Sequence, residues 1–254
     1  MTALDLLGPF KVPWLTGERR VRVFVPRPLA PGARLPVLYM FDGQNIFDDG
    51  PSFCGGWHLH ETASALAARG RTMPVIVGID HGGPRRIDEL SPFRCKMSRG
   101  HLPKLITWMR KTLMPRIQRD YPVRTDLAGT AIGGASLGGL AALHAHHKHP
   151  ELFGAALVMS PSLWLARGKI FRDLGKLGRP WTTRIYLDAG AGEPRMLRDA
   201  AKLSELLRQR GHGDHDLLWR PDPHGRHGEA SWRRRAPTAL EFLFSPQHAH
   251  ERAA

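Results

Sequence analysis

Cysteine is almost missing from this chain: Cys54 and Cys95 are the only two in 254 residues. A chain of this length buries enough apolar surface to hold a fold without covalent staples, so two free thiols are expected rather than a disulfide. Long hydrophobic runs are missing too. No stretch approaches the roughly 18 consecutive apolar residues of a membrane helix. The opening MTALDLLGPFKVPW has neither the basic start nor the apolar stretch of a secretory leader. Together these absences favour a cytoplasmic location with no membrane partner. Repeats and low-complexity tracts are lacking, and the 27 Gly and 21 Pro are dispersed over many turns.

Acidic residues are scarce relative to basic ones, 23 against 37, for a formal net charge of +14. Such a field attracts anions and nucleic acid non-specifically. The basic residues are scattered through nearly every segment, however, and no helix-turn-helix, zinc-finger spacing or aromatic RNA-binding signature accompanies them. No specific nucleic-acid partner is therefore expected. The charge reads as solvated surface, with attraction of an anionic substrate as a secondary role.

What is present is an alternation of strand and helix patterns. RRVRVFVP (19–26) alternates as a half-exposed strand does, and PVLYMF (36–41) and MPVIVGID (73–80) are continuous apolar runs suited to buried parallel strands. Further strands are expected at 154–160, 184–190 and 216–220, with helices at 58–70, 104–121, 137–149, 195–211 and 229–244. Pro115 and Pro237 should kink or divide their helices, Pro221 should open a loop, and 81–100 should be an irregular loop. The expectation is one domain over 1–254, a doubly wound, mostly parallel α/β sheet with helices on both faces. Residues 1–18 read as a lead-in and 245–254 as a frayed tail. The short segment 160–183 leaves room for only a small flap.

The chemistry centres on TAIGGASLGG (130–139), where an apolar strand ends in Gly-x-Ser-x-Gly before a helix. That pattern fits a nucleophile elbow, with Ser136 exposed on a sharp turn. A serine hydroxyl needs a base to take its proton and a carboxylate to orient that base. Glu193 and His227 follow Ser136 in the order acid then histidine, each in a loop beyond the carboxyl end of an expected strand. Asp188 is the main alternative acid and Asp199 a third, while His224 competes with His227. Backbone N–H groups of Leu137 and of Gln44, in the Asp42-Gly43-Gln44 turn, are placed to form an oxyanion hole. Candidate pocket walls are Phe47, Trp57, Phe93, Arg94 and Trp164. Aromatic and basic residues together suit an aromatic or anionic small-molecule ester. The histidines 144, 146, 147 and 149 are read as the exposed end of the elbow helix rather than as a metal site, and no metal or organic cofactor is called for.

LYMFDGQNIFDD, VIVGID, AIGGASLGGLAALHAHHKHPELFGAALVMSPSLW, LDAGAGE and GRHGEASWRRR together give the chain a resemblance to the putative esterase family of α/β-hydrolases. That family includes esterase D, enterochelin and feruloyl esterases and the mycolyltransferases. The resemblance runs from about Arg19 to Phe244. It implies an α/β-hydrolase fold, a Ser136, Glu193, His227 triad, an oxyanion hole at Gln44 and Leu137, and ester hydrolysis through an acyl-enzyme. Acyl transfer to an alcohol by the same triad, and a non-catalytic basic binding scaffold, stand as the alternatives. The chain departs from the family at Gly225-Arg226, where a Gly-Gly pair is common, and in its unusually basic 81–100 segment.

Overall fold

A computed structural model describes residues 4–50, 52, 54–176 and 183–244. Among these, eight strands form one sheet: β1 (Asp5–Lys11), β2 (Glu18–Phe24), β3 (Val37–Phe41), β4 (Val75–Ile79), β5 (Thr130–Ala135), β6 (Ala155–Met159), β7 (Arg184–Gly190) and β8 (Leu217–Asp222). Their order is β1-β2-β4-β3-β5-β6-β7-β8. β2 pairs antiparallel with both β1 and β4, and every pairing from β4 through to β8 is parallel. The helices are α1 (Leu59–Ala68), α2 (Arg86–Leu90), α3 (Leu102–Trp108), α4 (Met114–Asp120), α5 (Leu137–Lys148), α6 (Leu165–Gly175), α7 (Pro194–Gln209) and α8 (Glu229–Phe244).

The central strands are apolar along their whole length because both faces are covered. Val37, Tyr39 and Phe41 of β3 join one core cluster with α3, α5 and α7, while Leu38 and Met40 join a second with α1 and α8. The same period of two divides Ala156 and Val158 of β6 from Leu157 and Met159. The chain thus fills both faces of the sheet, as a doubly wound topology requires.

The order also fixes where a site can form. From β3 the chain crosses through α1 to β4 on one side, then returns through α2, α3 and α4 to β5 on the other side of β3. The loops leaving β3 and β5 therefore diverge across the sheet top and leave a crevice at the carboxyl ends of these strands.

Several sequence expectations are corrected. Part of the 1–18 lead-in is β1, an edge strand so exposed that its side chains carry no hydrophobic alternation. The expected loop at 81–100 contains α2, which is too short for a helical period to register. Its Glu89 receives two hydrogen bonds from Arg19 of β2, at 2.7 and 2.8 Å, and both side chains are 1% exposed. The Gly82 N–H adds a third bond to Glu89 at 3.0 Å. The expected division at Pro115, by contrast, is observed: a π-helical turn at Met109–Leu113 just before it joins α3 to α4, because Pro115 cannot donate to the preceding turn. Pro221 lies inside β8 instead of opening a loop, because β8 is an edge strand and needs no donor on its open side. α8 runs on through Pro237. The histidines at 144, 146 and 147 are buried rather than exposed, since α5 lies under its neighbours on all sides. Among the described residues no cluster of metal-ligating side chains is found and no helix is long and apolar enough to cross a membrane. The expected tail at 245–254 lies outside the described residues.

The Arg19–Glu89 pair gives a direct test of what holds α2 to the sheet. Glu89→Gln leaves a buried guanidinium without its counter-charge and is expected to cost about 3–5 kcal/mol, read from urea unfolding. Replacing both members together by apolar side chains of similar volume, Arg19→Met with Glu89→Leu, should cost much less. Equal losses in the single and double variants would show that packing, not charge, anchors the helix.

Candidate active site

The loop after β5 turns at Ser136, whose backbone is held at φ 56°, ψ −120°, outside the regions open to most side chains. Neighbouring β6 and its loop over-determine this conformation. The Ser136 N–H donates to the Met159 carbonyl at 3.0 Å, and the Ser162 N–H donates to the Ser136 carbonyl at 2.9 Å. The tightness of the turn explains its glycines: a Cβ on Gly134 would lie 2.6 Å from the backbone of Gly138. Any side chain at Gly134 would drive strand and helix apart.

His227 reaches the serine from the loop between β8 and α8. Its Nε2 lies 3.0 Å from Ser136 Oγ, and its Nδ1 lies 3.4 Å from Glu193 Oε1. The histidine side chain is 38% exposed while that of Glu193 is 1% exposed, so the imidazole faces solvent and the carboxylate is sealed beneath it. The two loops touch where neither carries a side chain. A Cβ on Gly190 would meet Gly225 at 2.3 Å, and the Gly192 N–H donates to the Gly225 carbonyl at 2.9 Å.

A buried carboxylate stays charged only if donors replace its lost water. Burial works to raise the Glu193 pKa, but hydrogen bonds from His227, the Ser160 hydroxyl and the Gly190 N–H outweigh it and hold the group below the usual carboxylate range. The Ser160 hydroxyl donates to Glu193 Oε1 at 3.0 Å. It accepts in turn from Trp232 Nε1 and Arg235 Nη2, both at 3.1 Å. The Trp232 ring also packs edge-on against His227, centroids 5.1 Å apart. One indole therefore supports both the imidazole and the hydroxyl bonded to Glu193.

The alternative acid is occupied elsewhere. Asp188 is fully buried at the end of β7, accepting from the Ser160 N–H and the Tyr186 hydroxyl, each at 3.1 Å, and facing Arg235 Nε at 3.2 Å. Burial pushes its pKa up to about 7 despite Arg235 and these donors. Asp199 sits in α7 and His224 is exposed, its N–H bonded to Asp222 Oδ1 at 2.9 Å. The structure brings neither of these side chains into the Ser136–His227–Glu193 chain of contacts.

Leu137 opens α5, whose first N–H groups have no intrahelical carbonyl. Gln44 lies in a single 3₁₀ turn, Gly43–Asn45, entered through Asp42 at φ 60°. The Gln44 side chain accepts from the His81 N–H at 3.1 Å, tying this turn to the end of β4. Asp42 is gripped by Arg86 through two hydrogen bonds, at 2.5 and 2.7 Å. A Cβ on Gly138 would come within 2.9 Å of Asp42 Oδ2, so the two loops at the crevice abut.

The aromatic wall candidates divide. Phe47, Trp57 and Phe93 are buried in the core clusters; Trp57 backs Trp232 at 5.4 Å, and Phe93 packs on His144 at 5.6 Å. Arg94 is exposed, and Trp164 is half-buried with the Arg195 guanidinium 5.1 Å above its ring. Sequence reasoning missed Ser160, Ser162, Trp232 and Arg235. The only available signal was their position, immediately beyond β6 and on the first turns of the helix after His227.

A family model described as Putative esterase matches residues 13–243. The chain is 22% identical over 244 residues to the uncharacterized protein YbbA of Bacillus subtilis, covering 90% of this chain and 93% of that one. It is 26% identical over 253 residues to the iron(III) enterobactin esterase of Dickeya dadantii, covering 92% of this chain but spanning only about half, 52%, of that protein. The crystal structure of the BES protein from Bacillus cereus superposes with a TM-score of 0.78 at 21% identity, over 96% of this chain and 95% of that one. The fold is accordingly the α/β-hydrolase fold.

The electrostatics of Glu193 predict a pH signature. Because its folded pKa lies below the ordinary value, its contribution to stability is present above the unfolded carboxylate range and lost as pH falls through the folded value. The stability gap between the wild type and Glu193→Gln, measured by denaturant unfolding, should be widest near neutral pH and close as pH falls below the ordinary carboxylate range. A gap that does not change with pH would contradict a depressed pKa.

Proposed function

Because the chain belongs to the putative esterase family, we propose that it is a serine carboxylic-ester hydrolase in which Ser136, His227 and Glu193 act as nucleophile, base and orienting acid. The observation that carries this reading is the 3.0 Å contact between His227 Nε2 and Ser136 Oγ at a strained elbow, with Glu193 at the other ring nitrogen.

His227 takes the Ser136 Oγ proton on Nε2 as Oγ bonds to the ester carbonyl carbon. The negative charge that develops on the carbonyl oxygen is received by the N–H groups of Leu137 and Gln44. The tetrahedral intermediate then expels the alkoxide, which takes the proton from His227 and leaves as the alcohol. Water enters, gives a proton to Nε2 and attacks the acyl carbon, and collapse releases the carboxylic acid and restores the Ser136 hydroxyl. Glu193 accepts from Nδ1–H throughout, which fixes the tautomer and stabilises the imidazolium formed in each half-reaction. Ser160 and Trp232 hold the acid and the ring in register and do not touch the reacting atoms. The exposure of His227 supports an open site, which gives water ready access to the acyl-enzyme and favours hydrolysis over transfer. Because relatives are named as iron(III) enterobactin and salmochelin esterases, siderophore esters join the panel of small-molecule substrates to be assayed.

A fluorophosphonate probe should label the wild type and not Ser136→Ala, with ester turnover in that variant down by about 10⁵–10⁶-fold. Glu193→Gln should lower kcat/KM by about 10⁴-fold through the wrong imidazole tautomer. Asp188→Asn should lower it by less than about tenfold, its main effect falling on stability. Labelling that persists without Ser136 would remove it as nucleophile, and a larger loss at Asp188 than at Glu193 would reverse the assignment of the acid.

A further inference from the structure

Beside the proposed site lies a second concavity, between α6 and α7, of about 560 Å³. Its wall carries Arg167, Arg172, Arg195 and Lys202 with a single carboxylate, Asp199, and two aromatic rings, Trp164 and Phe171. None of the four cations forms an ion pair among the described residues. Arg195 lies 5.1 Å above the Trp164 ring, and the Lys202 ammonium 4.9 Å above that of Phe171. An aromatic face holds a cation in place without neutralising it, whereas a carboxylate partner would cancel its charge. The rings are thus occupied by the protein's own cations, and two of the positive charges are fixed yet left available.

The wall of this cleft is built with some backbone strain. Ala166, Arg167 and Gly168 all adopt left-handed φ values, 51°, 57° and 69°, at the start of α6. Two of these are not glycine, and the turn carries the segment that bears Arg167, Phe171 and Arg172 round towards α7.

Two wall residues of the cleft also lie close in the chain to the proposed site. Trp164 is two residues beyond Ser162, whose Oγ is 3.3 Å from Ser136 Oγ. Arg195 is two residues beyond Glu193, the partner of His227. Two residues span at most about 7 Å of chain. The rim of the cleft at Trp164 therefore begins within about 7 Å of Ser162 along the backbone, so an acyl chain that extends from Ser136 past Ser162 runs towards it.

We propose that the α6–α7 cleft is an anion subsite that takes a carboxylate, sulfonate or phosphate group carried by the ester a few bonds from its scissile carbonyl. The proposal rests on Ser136 chemistry for its kinetic consequence but not for binding itself. Four cations against one carboxylate give the cleft a local excess of positive charge that the scattered surface arginines do not provide, and the concave wall focuses it. The aromatic rings act as supports for Arg195 and Lys202, so the subsite selects charge rather than an aromatic ring.

The test pairs two nitrophenyl esters with the same leaving group and similar acyl length: the hemiglutarate, which is anionic, and its neutral methyl glutarate counterpart. The ratio of their kcat/KM values should favour the anionic ester by about fivefold or more at low salt, and fall as salt rises. In Arg195→Gln/Lys202→Gln the ratio should drop towards one. In Arg69→Gln/Arg110→Gln, which removes the same formal charge from exposed positions elsewhere, it should be kept. A second arm titrates citrate against Ser136→Ala protein by calorimetry, with and without the two cleft substitutions. Saturable, salt-sensitive binding that disappears with them supports the subsite. If neither ester turns over but citrate behaves in this way, the hydrolase reading fails and the subsite stands. If both esters turn over with a ratio near one, or the ratio and citrate binding survive loss of Arg195 and Lys202, the subsite is overturned.

Discussion

A charge buried away from water has to be paired with donors, and the arrangement around Glu193 depends on meeting that requirement. Its carboxylate lies under His227 and is almost wholly enclosed. The donors come from separate elements: a hydroxyl from the loop after β6, an N–H from the end of β7, and the imidazole from the loop before α8. Ser160 is itself held by Trp232 and Arg235 from the first turns of α8. The last helix and the last three strands are thereby locked to one another through a single side chain, and a carboxylate that would otherwise take up a proton remains ionised at the pH where a histidine base works.

The same demand separates the two acids of LDAGAGE. Asp188, still on β7, is deeper and satisfied by Tyr186, the Ser160 backbone and Arg235, so it serves the packing of α8 on the sheet. Glu193, five residues later and past the turn, lies directly beneath the imidazole. Position along the chain thus separates the carboxylate that packs α8 from the one that faces His227, and their pKa values move in opposite directions accordingly.

Charge is handled differently elsewhere on the molecule. Arg19 and Glu89 are sealed inside and cancel, and Arg86 is engaged by Asp42 below the Gln44 turn. Arg195 and Lys202 rest on aromatic faces and keep their charge. A net charge of +14 thus has at least two structural meanings: cations neutralised to fasten loops, and cations left unneutralised beside the proposed site.

Much of this was legible from the chain alone. The apolar runs at 36–41 and 73–80 marked buried parallel strands because only strands covered on both faces lack alternation. Gly134, Ser136 and Gly138 marked the elbow because a turn that tight excludes side chains on both flanks. That Ser136, Glu193 and His227, each after a strand, could meet followed from the rule that loops at one sheet edge converge. Short or edge elements were not legible: β1 and α2 have too few buried positions to print a period, and Pro221 is tolerated only because β8 has an open side. Nor was the burial of Trp57 and Phe93, or of His144 and His146 on a helix covered all round, since burial is a property of what packs against a residue. The sequence by itself determined the fold class and which residue types could do the chemistry, because those follow from local pattern. Tertiary structure alone decided the support of Glu193 by Ser160, Trp232 and Arg235 and the meeting of α6 and α7 in a basic cleft, because contacts between segments tens of residues apart leave no local trace.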